Sequence, residues 1–338
     1  MLHPKTDLRI FVAMTQPEFD RLFAPESAAA LESLGEVTMG TGGPKVEVPA
    51  DVGASHDVLV TSWATAPFPS ASVVGPRLSL AAHAAGSVRG LFPRETLEGG
   101  LRLTQGGAAP MALAVAEMAL TLSLALLRNL HQHDRELQRT RDWQAGGSGR
   151  LGRAIHARRV GIVGLGRSGA HYARMVRGLG AEHVVAFDPF ATAERAAELG
   201  VELVGLDELF AGSDLVAIHA PSTPETHRMV GAHQLGLLPD GAVIVNTARS
   251  WSVDQAALLA ELESGRLSAG LDVFDTEPLP ADSPFFGRDN VLLTPHVAGG
   301  TVEARLGQGE TVVAELRRHA EGEPLEHEVT LAAYDRLA

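Results

Sequence analysis

Three short segments end in side chains that could do chemistry. The apolar run in VIVNTARS stops at Asn246, followed by Thr247, Ala248 and Arg249; the run in AGLDVFDTEPL reaches Asp272, with Glu277 just beyond; the run in NVLLTPHVAGGT ends at Pro295 and His296. An imidazole titrates near working pH and can carry a proton in either direction. A carboxylate set against it would orient the ring and stabilise its protonated form. A guanidinium offers forked donors that fit a carboxylate in a way a lysine ammonium cannot. All three groups fall at the ends of β-rich runs, which is where open α/β sheets place their ligands.

A fourth segment supplies a nucleotide signature. In VGIVGLGRSGAHYARMVRGLGAEHVVAFDPF, Gly164, Gly166 and Gly169 follow one apolar run and open a helical one. In that context the first glycine permits a tight turn, the second lets backbone approach a pyrophosphate, and the third lets helix pack close to strand. The helix N-terminus, with unpaired N–H groups at Arg167 and Ser168, favours the anion. Asp188 closes the next apolar run about 20 residues beyond the last glycine, the interval expected of the acid that bonds the adenosine ribose. A carboxylate there repels a 2′-phosphate, so the expected cofactor is NAD(H) rather than NADP.

These groups need elements to hold them. The chain alternates β-rich and helical runs, the pattern of α/β layers around parallel sheets. Strands are expected at residues 8–13, 58–61, 78–82 and 101–104, and again at 159–163, 184–188, 201–203, 215–219, 242–246, 269–273 and 291–294. One long helix is expected over 108–138, a loop over the glycine- and arginine-rich 144–154, and a helix over 253–264 with Asp254 in its first turn.

At 338 residues with 45% hydrophobic side chains, the chain can build two domains of ordinary size. It has no cysteine, which excludes disulfides, thiolate metal sites and a cysteine nucleophile. The two histidines of HQHD at 131–134 do not share a helix face, so no metal site is expected. A net charge of −13 argues against nucleic acid as a partner. The apolar segment 111–127 is interrupted by Glu117, Thr121 and Ser123, so no membrane span is expected, nor a secretory signal; a cytoplasmic location fits. Arginines crowd residues 128–177, a basic island that reads as solvated helix faces and subunit contacts, with attraction of an anionic cofactor or substrate as the alternative.

Together, GLGRSG, Asp188 and the three strand-end segments resemble the D-2-hydroxyacid dehydrogenases, the NAD-dependent family that includes phosphoglycerate dehydrogenase and glyoxylate/hydroxypyruvate reductases. The likeness spans about residues 111–301 and is looser before them. It implies hydride transfer between nicotinamide C4 and C2 of a small 2-hydroxy or 2-keto acid, with Arg249, Glu277 and His296 catalytic. It implies further cofactor contacts at His219 and Pro221 of HAPSTPET, at Thr247, Ala248 and Asp272, and at Gly299. The implied fold is two Rossmann-like, doubly wound α/β domains with the active site in the cleft between them: an NAD-binding domain over 109–298, and a substrate domain from 1–108 plus 299–338. A homodimer is expected.

The chain departs from the family in two places. Where the family holds the substrate carboxylate with a GxGxDN loop, this sequence has Gly86, Ser87, Val88 and Arg89. Ser87 and Val88 would offer backbone N–H groups, and Arg89 a charge toward a second acidic group on the substrate. Ser250 and Trp251 follow Arg249 in place of the usual glycine, and Trp251 is expected to narrow the pocket. The family's phosphate-binding residues have no match and no regulatory domain follows Ala338, so phosphoglycerate is not the expected substrate. Two other readings stay open: a phosphite- or formate-type dehydrogenase of the same fold, and a corepressor-like NAD sensor without turnover.

Overall fold

The computed structural model describes residues 7–147 and 151–334, so residues 148–150 of the glycine- and arginine-rich stretch lie outside the described residues. The chain divides into two compact units, Met1–Met111 with Gly300–Ala338, and Ala112–Gly299. Among the described residues each unit holds one parallel sheet, of five and of seven strands, so the fold is α/β with two doubly wound sheets.

In the first unit the strands are β1 (Leu8–Ala13), β2 (Gly35–Met39), β3 (Val58–Thr61), β4 (Leu80–His83) and β5 (Arg102–Gln105), in the spatial order β2-β1-β3-β4-β5. Successive side chains point to opposite faces, and here both faces are buried. Ile10, Val12, Val58, Val60 and Leu80 pack with Leu22, Leu31, Val312 and Leu316 on one side, while Phe11, Leu59, Ala81 and Leu103 pack with Val73 and Phe92 on the other. The helix Val302–Glu321 belongs to this unit and is capped by Thr301, whose hydroxyl accepts from Ala304 N–H. It comes so close to the chain at Leu22 that a Cβ on Gly309 would lie 1.9 Å from the Leu22 carbonyl oxygen.

In the second unit the strands are β6 (Arg159–Val163), β7 (His183–Phe187), β8 (Glu202–Leu203), β9 (Leu215–Ile218), β10 (Val243–Asn246), β11 (Ser268–Leu271) and β12 (Val291–Leu293). Their order, β12-β11-β10-β9-β6-β7-β8, reverses direction between β6 and β9. The helix Ala108–Leu127 is long and apolar enough to cross a membrane by length and composition. Its Ala116, Ala119, Leu122 and Leu126 instead lie in this unit's core with Tyr172 and Val176, which makes it a core helix.

Three expectations need correction. The strand Gly35–Met39 is not evident in the sequence, because an edge strand with a half-exposed pattern lacks an apolar run. The helix expected over 108–138 breaks in two, Ala108–Leu127 and Leu130–Thr140, at Asn129, whose φ of 53° is left-handed and is a conformation asparagine tolerates better than most residues. The expected loop from 144 begins inside a short helix, Trp143–Gly147.

Candidate active site

At the reversal point the glycines do what their spacing demands. Gly164 has φ +95°, and a Cβ there would meet the His219 backbone at 3.0 Å. A Cβ on Gly169 would fall 2.0 Å from the Gly164 carbonyl oxygen, so only glycine lets the helix Arg167–Gly178 start against the end of β6. Around Gly166, by contrast, a side chain would meet nothing within 4 Å, and this residue opens the helix without a side-chain cap. The first-turn N–H groups of Arg167 and Ser168 have no intrahelical acceptor, the arrangement that receives a phosphate.

Asp188 follows β7 and turns back onto this loop. Its Oδ2 accepts from Leu165 N–H at 2.7 Å and its Oδ1 from Phe190 N–H at 2.9 Å, which holds the carboxylate at the lip of the glycine turn. His219 follows β9. Both its ring nitrogens are shielded from solvent without a hydrogen-bond partner among the described residues, and its ring lies 5.2 Å from that of Tyr172. Burial pushes its pKa down to about 4, so the imidazole is neutral. Pro221, just beyond, accepts from the Thr226 hydroxyl at 2.7 Å. An open cradle at a helix N-terminus, a carboxylate beside it and an orphaned buried imidazole all fit a bound dinucleotide.

The ends of β10, β11 and β12 carry the remaining groups. Asn246 braces the turn after β10: its Nδ2 donates to the Arg249 carbonyl at 2.9 Å and its Oδ1 accepts from Ala248 N–H at 3.1 Å. Thr247 is buried, its hydroxyl 3.5 Å from the Val115 carbonyl. Arg249 donates from one Nη to the Ala248 carbonyl at 2.7 Å; its other N–H groups have no partner among the described residues. Burial lowers its pKa while the charge of Glu277 opposes that shift, and a guanidinium stays charged throughout.

His296 and Glu277 meet directly: Nδ1 to Oε2 is 2.6 Å, and Oε1 of Glu277 accepts from Phe274 N–H at 2.9 Å. An ionised carboxylate on Nδ1 holds the proton there and leaves Nε2 as the nitrogen that exchanges a proton with a ligand. His296 adopts φ 53°, a left-handed conformation uncommon outside glycine. Asp272, wholly buried after β11, pins it. The Asp272 carbonyl accepts from His296 N–H at 2.9 Å, while its carboxylate accepts from the Thr294 hydroxyl at 2.6 Å and from the N–H groups of Val297 and Ala298, both at 2.9 Å. Asp272 thus orients the loop before Gly299, a positioning role its place at a strand end did not disclose.

Residues 120–298 match the family described as D-isomer specific 2-hydroxyacid dehydrogenase, NAD binding domain. The chain belongs to this family. D-3-phosphoglycerate dehydrogenase of Mycobacterium tuberculosis is 36% identical over 301 residues, 89% of this chain and 56% of that protein. Glyoxylate reductase of Korarchaeum cryptofilum is 35% identical over 251 residues, 73% of this chain and 75% of that one. The chain spans about half the length of the phosphoglycerate dehydrogenases it matches. The apo D-mandelate dehydrogenase of Rhodotorula graminis shares the fold, with a TM-score of 0.82 at 24% identity over 96% of this chain and 97% of the other.

The second unit of this family member thus brings together Gly164, Gly166, Arg167, Ser168, Gly169, Asp188, His219 and Pro221 around the reversal point, and Thr247, Ala248, Arg249, Asp272, Glu277, His296 and Gly299 at neighbouring strand ends. Ser87, Val88 and Arg89 lie in the first unit, after β4. Val88 is buried and its carbonyl accepts from Phe92 N–H. Arg89 donates to the Tyr334 carbonyl at 2.8 and 3.2 Å and covers that ring at 5.5 Å, which ties it to the end of the chain. Trp251 donates to the Thr223 carbonyl at 2.7 Å and packs at a tilt against the His227 ring, 4.2 Å between centroids, so it braces the segment after β9. His83, at the end of β4, escaped the sequence reading: it is buried, bonded to the Thr61 hydroxyl at 2.8 Å, and only the tertiary fold reveals it.

Proposed function

We propose that the protein is an NAD(H)-dependent D-2-hydroxyacid dehydrogenase, acting as a 2-keto acid reductase in the reverse direction. The observation that carries this reading is the 2.6 Å contact between His296 Nδ1 and Glu277 Oε2 beside the half-buried Arg249. Arg249 would hold the substrate carboxylate with its unspent N–H groups and polarise the C2 carbonyl. Bound NADH supplies the hydride that C2 receives. His296, held as an imidazolium by Glu277 on its Nδ1, would give the new alkoxide its proton from Nε2 and be left as the neutral ring. In the oxidative direction His296 takes the hydroxyl proton instead.

Asp188 supports NADH over NADPH, because a 2′-phosphate would meet its charge. We place Thr247, Ala248 and Asp272 at the nicotinamide end. We further infer a homodimer: among the described residues the helix Leu130–Thr140 buries no side chain, and Leu130, Leu137 and Trp143 beside it are exposed. The test is NADH oxidation with a panel of 2-keto acids, alongside NADH binding followed by fluorescence. Turnover of at least one acid is expected. Intact NADH binding with no turnover of any acid would reject the dehydrogenase in favour of a nucleotide sensor.

A further inference from the structure

The second unit contains a cavity of about 680 Å³ onto which both His296 and Glu277 open. That is the size of pockets that bury most of a small organic ligand. Its walls are Phe274, Leu279, Phe286 and Leu293, with the rings of two prolines. Its polar lining consists of the catalytic pair and Thr294, and the Thr294 hydroxyl is already donated to Asp272 at 2.6 Å. No lysine or arginine lines it. Phe286 remains 49% exposed at this surface, a large apolar side chain left for something else to cover.

These walls discriminate by charge. A phosphate or a second carboxylate placed against them would lose its water without gaining a cation or a donor, at a cost no apolar wall returns. An apolar side chain would gain by displacing water from the same surface. His296 borders the cavity, so a substrate engaged by its imidazole has this apolar space as a neighbour.

We propose that the cavity receives the substrate side chain, and that the substrate is a 2-keto or 2-hydroxy acid with a large apolar side chain, aromatic or branched aliphatic, rather than a phosphorylated, dicarboxylic or one- or two-carbon acid. The proposal rests on the dehydrogenase reading above. Its Arg249 accounts for the single carboxylate such a substrate carries.

The experiment is steady-state reduction of glyoxylate, pyruvate, oxaloacetate, 2-ketoisocaproate and phenylpyruvate by the full chain, repeated with Leu279→Trp, which fills the cavity, and with Phe286→Ala, which removes part of its rim. Folding of each variant is checked by thermal melt, and subunit association by sedimentation. For the unaltered protein, kcat/KM for phenylpyruvate or 2-ketoisocaproate should exceed that for pyruvate by about ten-fold or more, the discrimination a hydrophobic pocket provides. Both variants should lower the ratio of kcat/KM for the large acid over that for glyoxylate, Leu279→Trp by about ten-fold; if Leu279→Trp does not fold, the Phe286→Ala ratio decides. Equal or better turnover of glyoxylate or oxaloacetate would overturn the proposal and leave the dehydrogenase reading standing. A preference for large acids that neither variant alters, or variants that change subunit association and not selectivity, would also overturn it. Failure of every acid with NADH still bound would remove the reading beneath it.

Discussion

His296 is held by a neighbour that never needs to touch the substrate. Asp272 accepts four hydrogen bonds from residues 294–298 through its carbonyl and carboxylate, and these restrain the imidazole at φ 53°, a backbone state the fold must maintain against its preference. Glu277 then fixes the tautomer. On this geometry His296→Ala should lower kcat by about 10²- to 10⁴-fold while the dissociation constant for NADH stays near that of the unaltered protein. Near-normal kcat would take His296 out of the proton transfer. On the proposed reading Asp188 would act separately, at the other end of the cofactor. Asp188→Ala should reduce the ratio of kcat/KM for NADH over NADPH by about ten-fold, the weight of one charged hydrogen bond. An unchanged ratio would mean that the ribose is read elsewhere.

At the scale of elements, close approach decides more than apolar area does. The helix Arg167–Gly178 meets the end of β6 where Gly169 would collide with the Gly164 carbonyl if it carried any side chain. Gly169→Ala should therefore push the helix away, cost about 1–3 kcal/mol of stability by overpacking, and weaken NADH binding at least ten-fold. Urea unfolding and fluorescence titration measure both; a variant with unaltered NADH affinity would show that the turn relaxes without moving the amides. Helix boundaries were mostly legible because caps are local. Asp254 accepts from the N–H groups of Ala256 and Ala257 and opens the helix Gln255–Glu263, one step outside the first turn where the sequence places it. The break at Asn129 was not legible, since a helix can run on from an apolar into a polar stretch and the left-handed residue is set by where each half packs.

At the scale of the whole molecule, each unit buries a neutral imidazole. Burial depresses the pKa of His83 in the first unit and of His219 in the second from 6.5 to about 4. The unfolded chain therefore binds protons that the folded one refuses, and stability present above about pH 6.5 is lost as pH falls toward 4. Near pH 5 the loss is on the order of 2 kcal/mol for each group. Thermal or urea unfolding of the NAD-free protein should show a falling midpoint between about pH 7 and 5, with a shallower fall in His83→Gln and His219→Gln. A slope identical in both variants would assign the acid sensitivity to other groups.

The nucleotide turn, the acid after it, the residue types Arg249, Glu277 and His296, and the alternation of strands and helices were all determined by the sequence itself. The turn, the acid and the alternation are each written in a contiguous stretch: glycine where backbone must touch backbone, a carboxylate one strand later, apolar runs between; the three polar residues stand where apolar runs stop, and a catalytic role for them came with the family resemblance. Tertiary structure alone decided which of those groups meet. The Glu277–His296 pair, the Asp272 clamp, the burial of His83 and the apolar cavity beside the imidazole join residues from different strands and loops. Such contacts depend on strand order and on the distance between neighbouring strand ends, and neither leaves a periodic trace along the chain.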